Sequence, residues 1–210
     1  MQLVVVKNVL VPPPPASQTK TMVAIRDHIQ NEITAITPID GQEEEHIADG
    51  LAWIKSDADL FRIEKPDKPP KHLVSYFVVV DPDKESILLV DHVKAQLWLP
   101  TGGHVEPNED PAETVRREAQ EELAMQAVFL KNRPHPFFIT VNQTGGLTPG
   151  HTDVSLWYLI RGNVHDFIDF DRREFNDVEW FTFDEILQSD PVIFDRHMHR
   201  FTRKLVAYLR

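Results

Sequence analysis

Apolar positions first recur at helical spacing. Val23, Ile25, Ile29 and Ile33 in "MVAIRDHIQNEITAI", then Ile47, Leu51 and Ile54 in "EEEHIADGLAWIKS", each fall on one face of a 3.6-residue repeat, so two short helices are expected. From residue 73 the pattern becomes nearly continuous and β-branched. "LVSYFVVV" (73–80), a turn at Asp81-Pro82-Asp83-Lys84 and "SILLVDHV" (86–93) predict a hairpin, followed by "LWLP" and a turn at Gly102-Gly103. The helical period returns over 111–124, where Ala112, Val115, Ala119 and Leu123 form a stripe suited to cover a sheet. Asp110 as N-cap, Pro111 in the first turn and Glu113 as the far member of a capping box mark its start. "AVFLK" (127–131), "PFFITVN" (136–142), "DVSLWYLIRG" (153–162) and "VEWFTF" (178–183) read as strands, and helices are expected near 184–189 and over 194–210. Strands interrupted by one helix and closed by two more indicate an α/β sandwich around a mixed sheet.

Punctuation divides this pattern. Pro12 to Pro15 suit a flexible proline-rich leader over 1–21, and the proline- and charge-rich "EKPDKPPKH" (64–72) suits a boundary between a helical N-terminal extension (22–71) and a main domain (72–210). The extension is expected to serve packing or partner recognition rather than chemistry.

Composition narrows the function classes. A net charge of −11 argues against general affinity for nucleic acid or an anionic membrane. The absence of cysteine removes disulfides, thiolate metal sites and a cysteine nucleophile. No apolar run approaches the roughly 18–20 residues of a membrane span, and the start reads poorly as a signal peptide, so a cytoplasmic protein is expected. A homodimer is compatible with the sequence.

The helix over 111–124 raises a chemical question. Glu118, Glu121 and Glu122 occupy an arc beside the apolar stripe, where like charges at this spacing cost a few tenths of a kcal/mol when exposed and more when water is excluded. A divalent cation turns that repulsion into a binding site, and hard carboxylate oxygens select Mg2+, with Mn2+ as a substitute.

The spacing around these residues resembles the Nudix box. Gly103, five residues, Glu109, seven residues, then Arg117-Glu118-Ala119-Gln120-Glu121-Glu122-Leu123-Ala124-Met125 follows its pattern except at the last glycine, which is Ala124 here. That glycine normally ends the helix in a left-handed conformation, where alanine costs about 1 kcal/mol. The flanking strand order also resembles the Nudix fold, an α/β/α sandwich around a mixed sheet, over about residues 72–190.

The resemblance implies hydrolysis of a nucleoside diphosphate linked to another group, by water attack at phosphorus with divalent-metal assistance. It implies Glu118, Glu121 and Glu122 as metal ligands, Glu118 or Glu122 as general base, Arg117 as the residue orienting the carboxylates, and Glu109 as the tether between loop and helix. Gly102 would offer its carbonyl to the metal, and Gly103 would let backbone approach the phosphates. Glu174, five residues before Glu179-Trp180, stands where some family members carry a further acidic ligand; Asp171 and Asp177 are weaker candidates. His104, His151 and Asp153 are candidates for substrate contact. His197 and His199 point apart on a helix and do not suit a joint metal site. The expected partner is a small-molecule nucleotide derivative, with a nucleoside triphosphate favoured. The competing reading is a non-catalytic nucleotide sensor or partner-binding module on the same fold, and an isomerase of the fold would need the cysteine this chain lacks.

Overall fold

The computed structural model describes residues 16–64, 68–144, 150–166 and 168–210, with backbone only for 16–22. Most of the predicted leader therefore lies outside the described residues, and helix α1 (Ala16–Thr34) begins within its last positions. Helix α2 (Gly41–Lys55) follows, capped by the Asp40 carboxylate, which accepts from Glu43 N–H.

Among the described residues, seven strands form one mixed sheet: β1 (Lys71–Asp81), β2 (Ser86–His92), β3 (Leu97–Leu99), β4 (Thr101–His104), β5 (Phe138–Gln143), β6 (Thr152–Arg161) and β7 (Phe175–Thr182). The order is β3-β2-β1-β6-β5, with β4 also paired to β1 and β7 to β2. β1 is central, parallel to β6 from Lys71↔Thr152 to Val80↔Arg161. Buried on both faces, it reads as an unbroken apolar run instead of an alternation.

The predicted hairpin is present, but β1 and β2 pair only through Val79↔Leu88, Val80↔Ile87 and Asp81↔Ser86. Beyond that they separate, and the segment 97–104 bridges the gap. β3 pairs with β2, Pro100 interrupts the ladder for want of an N–H, and β4 pairs with β1. The Gly102-Gly103 turn expected from sequence is thus a strand, with Tyr76↔Gly102 and Ser75↔Gly103 in register. These glycines answer close approach: a Cβ on Gly102, whose φ is 154°, would lie 2.1 Å from the Ser75 carbonyl oxygen.

Alternate residues of β1 enter different cores. Leu73, Phe77 and Val79 pack with Ile29 and Ile33 of α1, Trp53 and Ile54 of α2, and Ala112, Val115, Ala119 and Leu123 of α3 (Pro111–Leu123). Val78 and Val80 pack with Phe183 and Ile186 of α4 (Phe183–Gln188) and Met198, Phe201 and Leu205 of α5 (Met198–Leu209). The result is the three-layer α/β/α sandwich, with α1, α2 and α3 on one face and α4 and α5 on the other.

Local expectations fail in instructive ways. "AVFLK" is not a strand: Phe129 makes one isolated bridge to Ile160, and Leu130–Asn132 turn in a 3-10 helix with Lys131 at φ 55°. Its strand-like composition reflects burial, since Phe129 anchors in the first core and Leu130 in the second. The last helix starts at Met198, after a short 3-10 turn at Pro191–Ile193, and the last strand begins at Phe175. Among the described residues no helix is long and apolar enough to cross a membrane.

Candidate active site

Helix α3 is positioned at both ends by local chemistry. Asp110 accepts from Ala112 N–H and Pro111 occupies the first turn, as the sequence predicts. The capping box does not close, because the Glu113 carboxylate pairs with Arg116 at 2.6 Å instead of turning back to the cap. At the other end Ala124 adopts the left-handed conformation itself, at φ 49° and ψ 29°, while Met125 N–H donates to the Ala119 carbonyl at 3.0 Å. The helix therefore ends where a glycine would end it.

Arg117 organises the acidic side chains. Its Nε and Nη2 each lie 3.2 Å from a different oxygen of Glu109, a two-point grip that matches the planar guanidinium to the carboxylate. Nη1 donates to Glu118 Oε1 at 2.6 Å and lies 3.8 Å from Glu121 Oε2. Glu109 in turn accepts from Thr114 Oγ1 at 2.7 Å and from Glu106 N–H at 3.0 Å, so loop and helix are tied together through it. Burial alone would raise the Glu109 pKa, but the hydrogen bonds from Arg117, Glu106 N–H and Thr114, with the Arg117 charge, together outweigh it and hold the pKa below the usual value.

Glu118 and Glu122 behave differently. Burial pushes the Glu118 carboxyl up despite Arg117, with the Glu121 and Glu109 charges adding to the rise. Burial pushes Glu122 up to about 8, opposed by the Thr101 hydroxyl and Gly102 N–H that donate to it, and reinforced by the charges of Glu118 and Glu174. Glu174, in the turn entering β7, therefore shares an electrostatic field with Glu122. Two half-buried carboxyls that resist ionisation among further carboxylates are a donor set with more negative charge than Arg117 alone offsets.

β4 completes this face. A Cβ on Gly103 would sit 1.9 Å from Glu118 Oε1, so only glycine leaves the Glu118 carboxylate its place against the strand. Beside Glu121 and Glu122 opens a cleft lined also by Ala124, Asp169, Phe170, Asp171 and Arg173. Asp169, Phe170 and Arg173 were not legible as site residues, because no motif marks them; Asp171 N–H donates to the Glu122 carbonyl at 3.0 Å and fixes their loop against α3. Asp177 lies instead in the β7 ladder opposite Asp91.

The remaining candidates assemble elsewhere. Ser75 Oγ reaches the Pro111 carbonyl at 2.9 Å, so odd-numbered β1 side chains face α3 and His72 faces the opposite layer. There His104, His151 and Asp153 gather around His72, a residue that no motif or spacing singles out. Only the parallel register His72↔Asp153 brings it there. Burial pulls the His72 pKa down, but the Asp153 carboxylate and Pro69 carbonyl together hold it above the usual value. His197 meets Asn142 and Arg200 and forms no pair with His199.

The profile of the NUDIX domain matches residues 70–203, well over half the chain. The fold is similar to that of a Nudix-family hydrolase from Clostridium perfringens, at 21% identity and a TM-score of 0.54, covering 66% of this chain and 98% of that one. It is also similar to a MutT protein from Methanosarcina mazei Go1, at 19% identity and 0.51, covering 66% and 95%. A C. elegans Ap4A hydrolase gives 19% identity and 0.50, covering 66% and 96%. No curated protein sequence matches. With the box residues grouped along α3 and β4 and the domain profile spanning the sheet and its closing helices, the chain belongs to the Nudix hydrolase family.

Proposed function

We propose that the chain is a divalent-metal-dependent pyrophosphohydrolase that cleaves the phosphoanhydride bond of a nucleoside diphosphate linked to another group, with a nucleoside triphosphate the favoured substrate. The observation that carries this reading is the gathering of Glu118 and Glu122 on one edge of α3, with Glu118 against Gly103, where burial and neighbouring carboxylates hold both carboxyls above their ordinary range. Hard oxygens crowded in this way fit Mg2+ or Mn2+. Glu118, Glu121 and Glu122 would hold the ion, with Glu174 and the Gly102 carbonyl as further donors. Such an ion, when bound, neutralises pyrophosphate oxygens and acidifies the attacking water.

The chain's own residues supply the rest. Arg117, held by Glu109, fixes the Glu118 carboxylate by a hydrogen bond and draws Glu121 toward it, so Glu118 need not reorganise during turnover. Glu118 and Glu122, the two α3 acids with raised proton affinity, are the groups suited to take a proton from water. The bare backbone at Gly103 admits a phosphate without a side chain in the way. We assign this chemistry to residues 72–210, with 22–71 serving the core.

A screen of nucleoside triphosphates, nucleotide sugars and dinucleoside polyphosphates with Mg2+, scoring the products released, tests the reading. Metal-dependent release of a nucleoside monophosphate is expected. Tight nucleotide binding without turnover across the panel would overturn it in favour of a sensor.

A further inference from the structure

The cluster on the opposite face of the sheet has no part in the chemistry above. His72 enters from the start of β1, His104 from the end of β4, and His151 and Asp153 from the start of β6. One ligand-type atom from each lies within 4.8 Å of all the others. His72 Nε2 is 3.0 Å from His104 Nε2 and 3.2 Å from Asp153 Oδ1, and His151 Nε2 is 3.5 Å from that same oxygen. Nitrogen ligands about 2.0–2.1 Å from a tetrahedral zinc stand about 3.3 Å apart, so these separations match the edges of one coordination sphere.

Hydrogen bonds around the cluster set which atoms face inward. His72 Nδ1 lies 2.9 Å from the Pro69 carbonyl, which can only accept, so Nδ1 carries a proton and Nε2 in the neutral ring presents a lone pair. Thr144 Oγ1 donates to the His151 carbonyl and can therefore accept from His151 Nδ1, 3.0 Å away, which again leaves Nε2 as the inward lone pair. Asp153 is 9% exposed, and its Oδ1 finds no hydrogen-bond partner of good geometry. Two imidazole lone pairs and a buried carboxylate oxygen thus converge with a third imidazole, and each ring nitrogen facing outward from His72 and His151 has the partner that orients a metal-bound histidine.

We propose that His72, His104, His151 and Asp153 form a second metal centre that binds Zn2+, on the face of the sheet away from the α3 carboxylates. Imidazole nitrogen selects zinc over Mg2+. Four protein ligands close the sphere, which marks a structural centre and not a catalytic one. It ties the ends of β1, β4 and β6 together one residue beyond Gly103, and these side chains serve as metal ligands and not as substrate contacts.

The test reads metal, not hydrolysis, so a failure of the hydrolytic reading leaves its outcome untouched. Full-length protein stripped by chelator and held in excess Mg2+ is titrated with Zn2+, and separately with Co2+ as a spectroscopic probe. One Zn2+ per chain, a rise in Tm on binding, and the intense visible bands of tetrahedral Co2+ are expected. His151→Ala should weaken binding at least about 100-fold and Thr144→Val about 10- to 100-fold, the range for loss of an outer partner. Glu121→Gln should leave Zn2+ affinity unchanged. Absence of stoichiometric Zn2+, a pale octahedral Co2+ spectrum, indifference to both His151→Ala and Thr144→Val, or loss of the site in Glu121→Gln would each overturn the proposal. If His151→Ala does not fold, Thr144→Val and the wild-type Co2+ spectrum decide.

Discussion

Ala124 occupies a left-handed backbone position that glycine would adopt without a Cβ penalty. Ala124→Gly is therefore expected to stabilise the fold by about 1 kcal/mol, read as a shift in urea midpoint at constant m. An unchanged or lowered midpoint would contradict the strain. The adjacent glycines of β4 should separate stability from function. A Cβ on Gly102 meets backbone at Ser75 and Tyr76, which cannot yield cheaply, so Gly102→Ala should cost several kcal/mol of stability. A Cβ on Gly103 meets only the Glu118 carboxylate, whose side chain can swing away, so Gly103→Ala should fold and lose turnover by orders of magnitude. At this scale the box resemblance pointed to Gly103, Glu118 and Ala124, and the fold sets Gly103 against the Glu118 carboxylate and Ala124 at the end of the helix. The sequence alone misplaces the double glycine in a turn, because glycine signals missing volume and not which neighbour needs that volume.

At the scale of elements, α2 and α5 meet around the free edge of β5. Arg200 Nε donates to Asp40 Oδ2 at 2.7 Å, His197 Nε2 lies 2.8 Å from Asn142 Oδ1, and Lys204 Nζ donates to Glu43 Oε1 at 2.7 Å, with Glu43 fully buried. His46 Nδ1 lies 3.3 Å from the Ile139 carbonyl of the edge strand. Glu43→Ala would strand the Lys204 charge and should destabilise by about 3–5 kcal/mol in chemical denaturation. Burial, with the Arg200 charge, depresses the His197 pKa to about 3. An unfolded histidine binds its proton near pH 6.5 while the native one does not until about 3, so the contribution of His197 to stability falls as pH drops from about 6.5 toward 3. The Asp40 carboxyl, held near 2 chiefly by its Arg200 hydrogen bond, adds a loss only below its ordinary value of 3.8. His197→Asn should therefore gain stability at pH 5 relative to pH 7.5 when its urea midpoints are compared with those of the native chain; an unchanged difference between the two pH values would contradict this. None of this network was legible, because Asp40, Asn142 and Arg200 lie far apart in sequence and no motif links them. The apolar spacing did give α2 and α5 themselves, whereas the same apolar content misassigned 127–131, where Phe129 and Leu130 anchor a turn in two cores.

Across the whole molecule, two helical layers enclose a sheet whose central hairpin splays, and the strand crossing that splay carries the glycines to the acidic edge of α3. The pattern of apolar positions was enough for the sandwich, and the box spacing was enough to put Glu118, Glu121 and Glu122 on one helix. The site's other wall, Asp169 to Arg173, depends on a loop held by one backbone hydrogen bond to α3, and His72 depends on parallel register; both arise only from tertiary pairing. The proposed hydrolysis of a phosphoanhydride rests on the carboxylates gathered on α3. The most direct measurement is the turnover of the native chain and of Glu122→Gln on the best nucleotide substrate with Mg2+, alongside urea midpoints of both. A fall in kcat of orders of magnitude, with stability kept or raised because a buried carboxyl that resists ionisation has been removed, is the predicted result. Native-level turnover in Glu122→Gln, or undiminished hydrolysis in excess chelator, would contradict it.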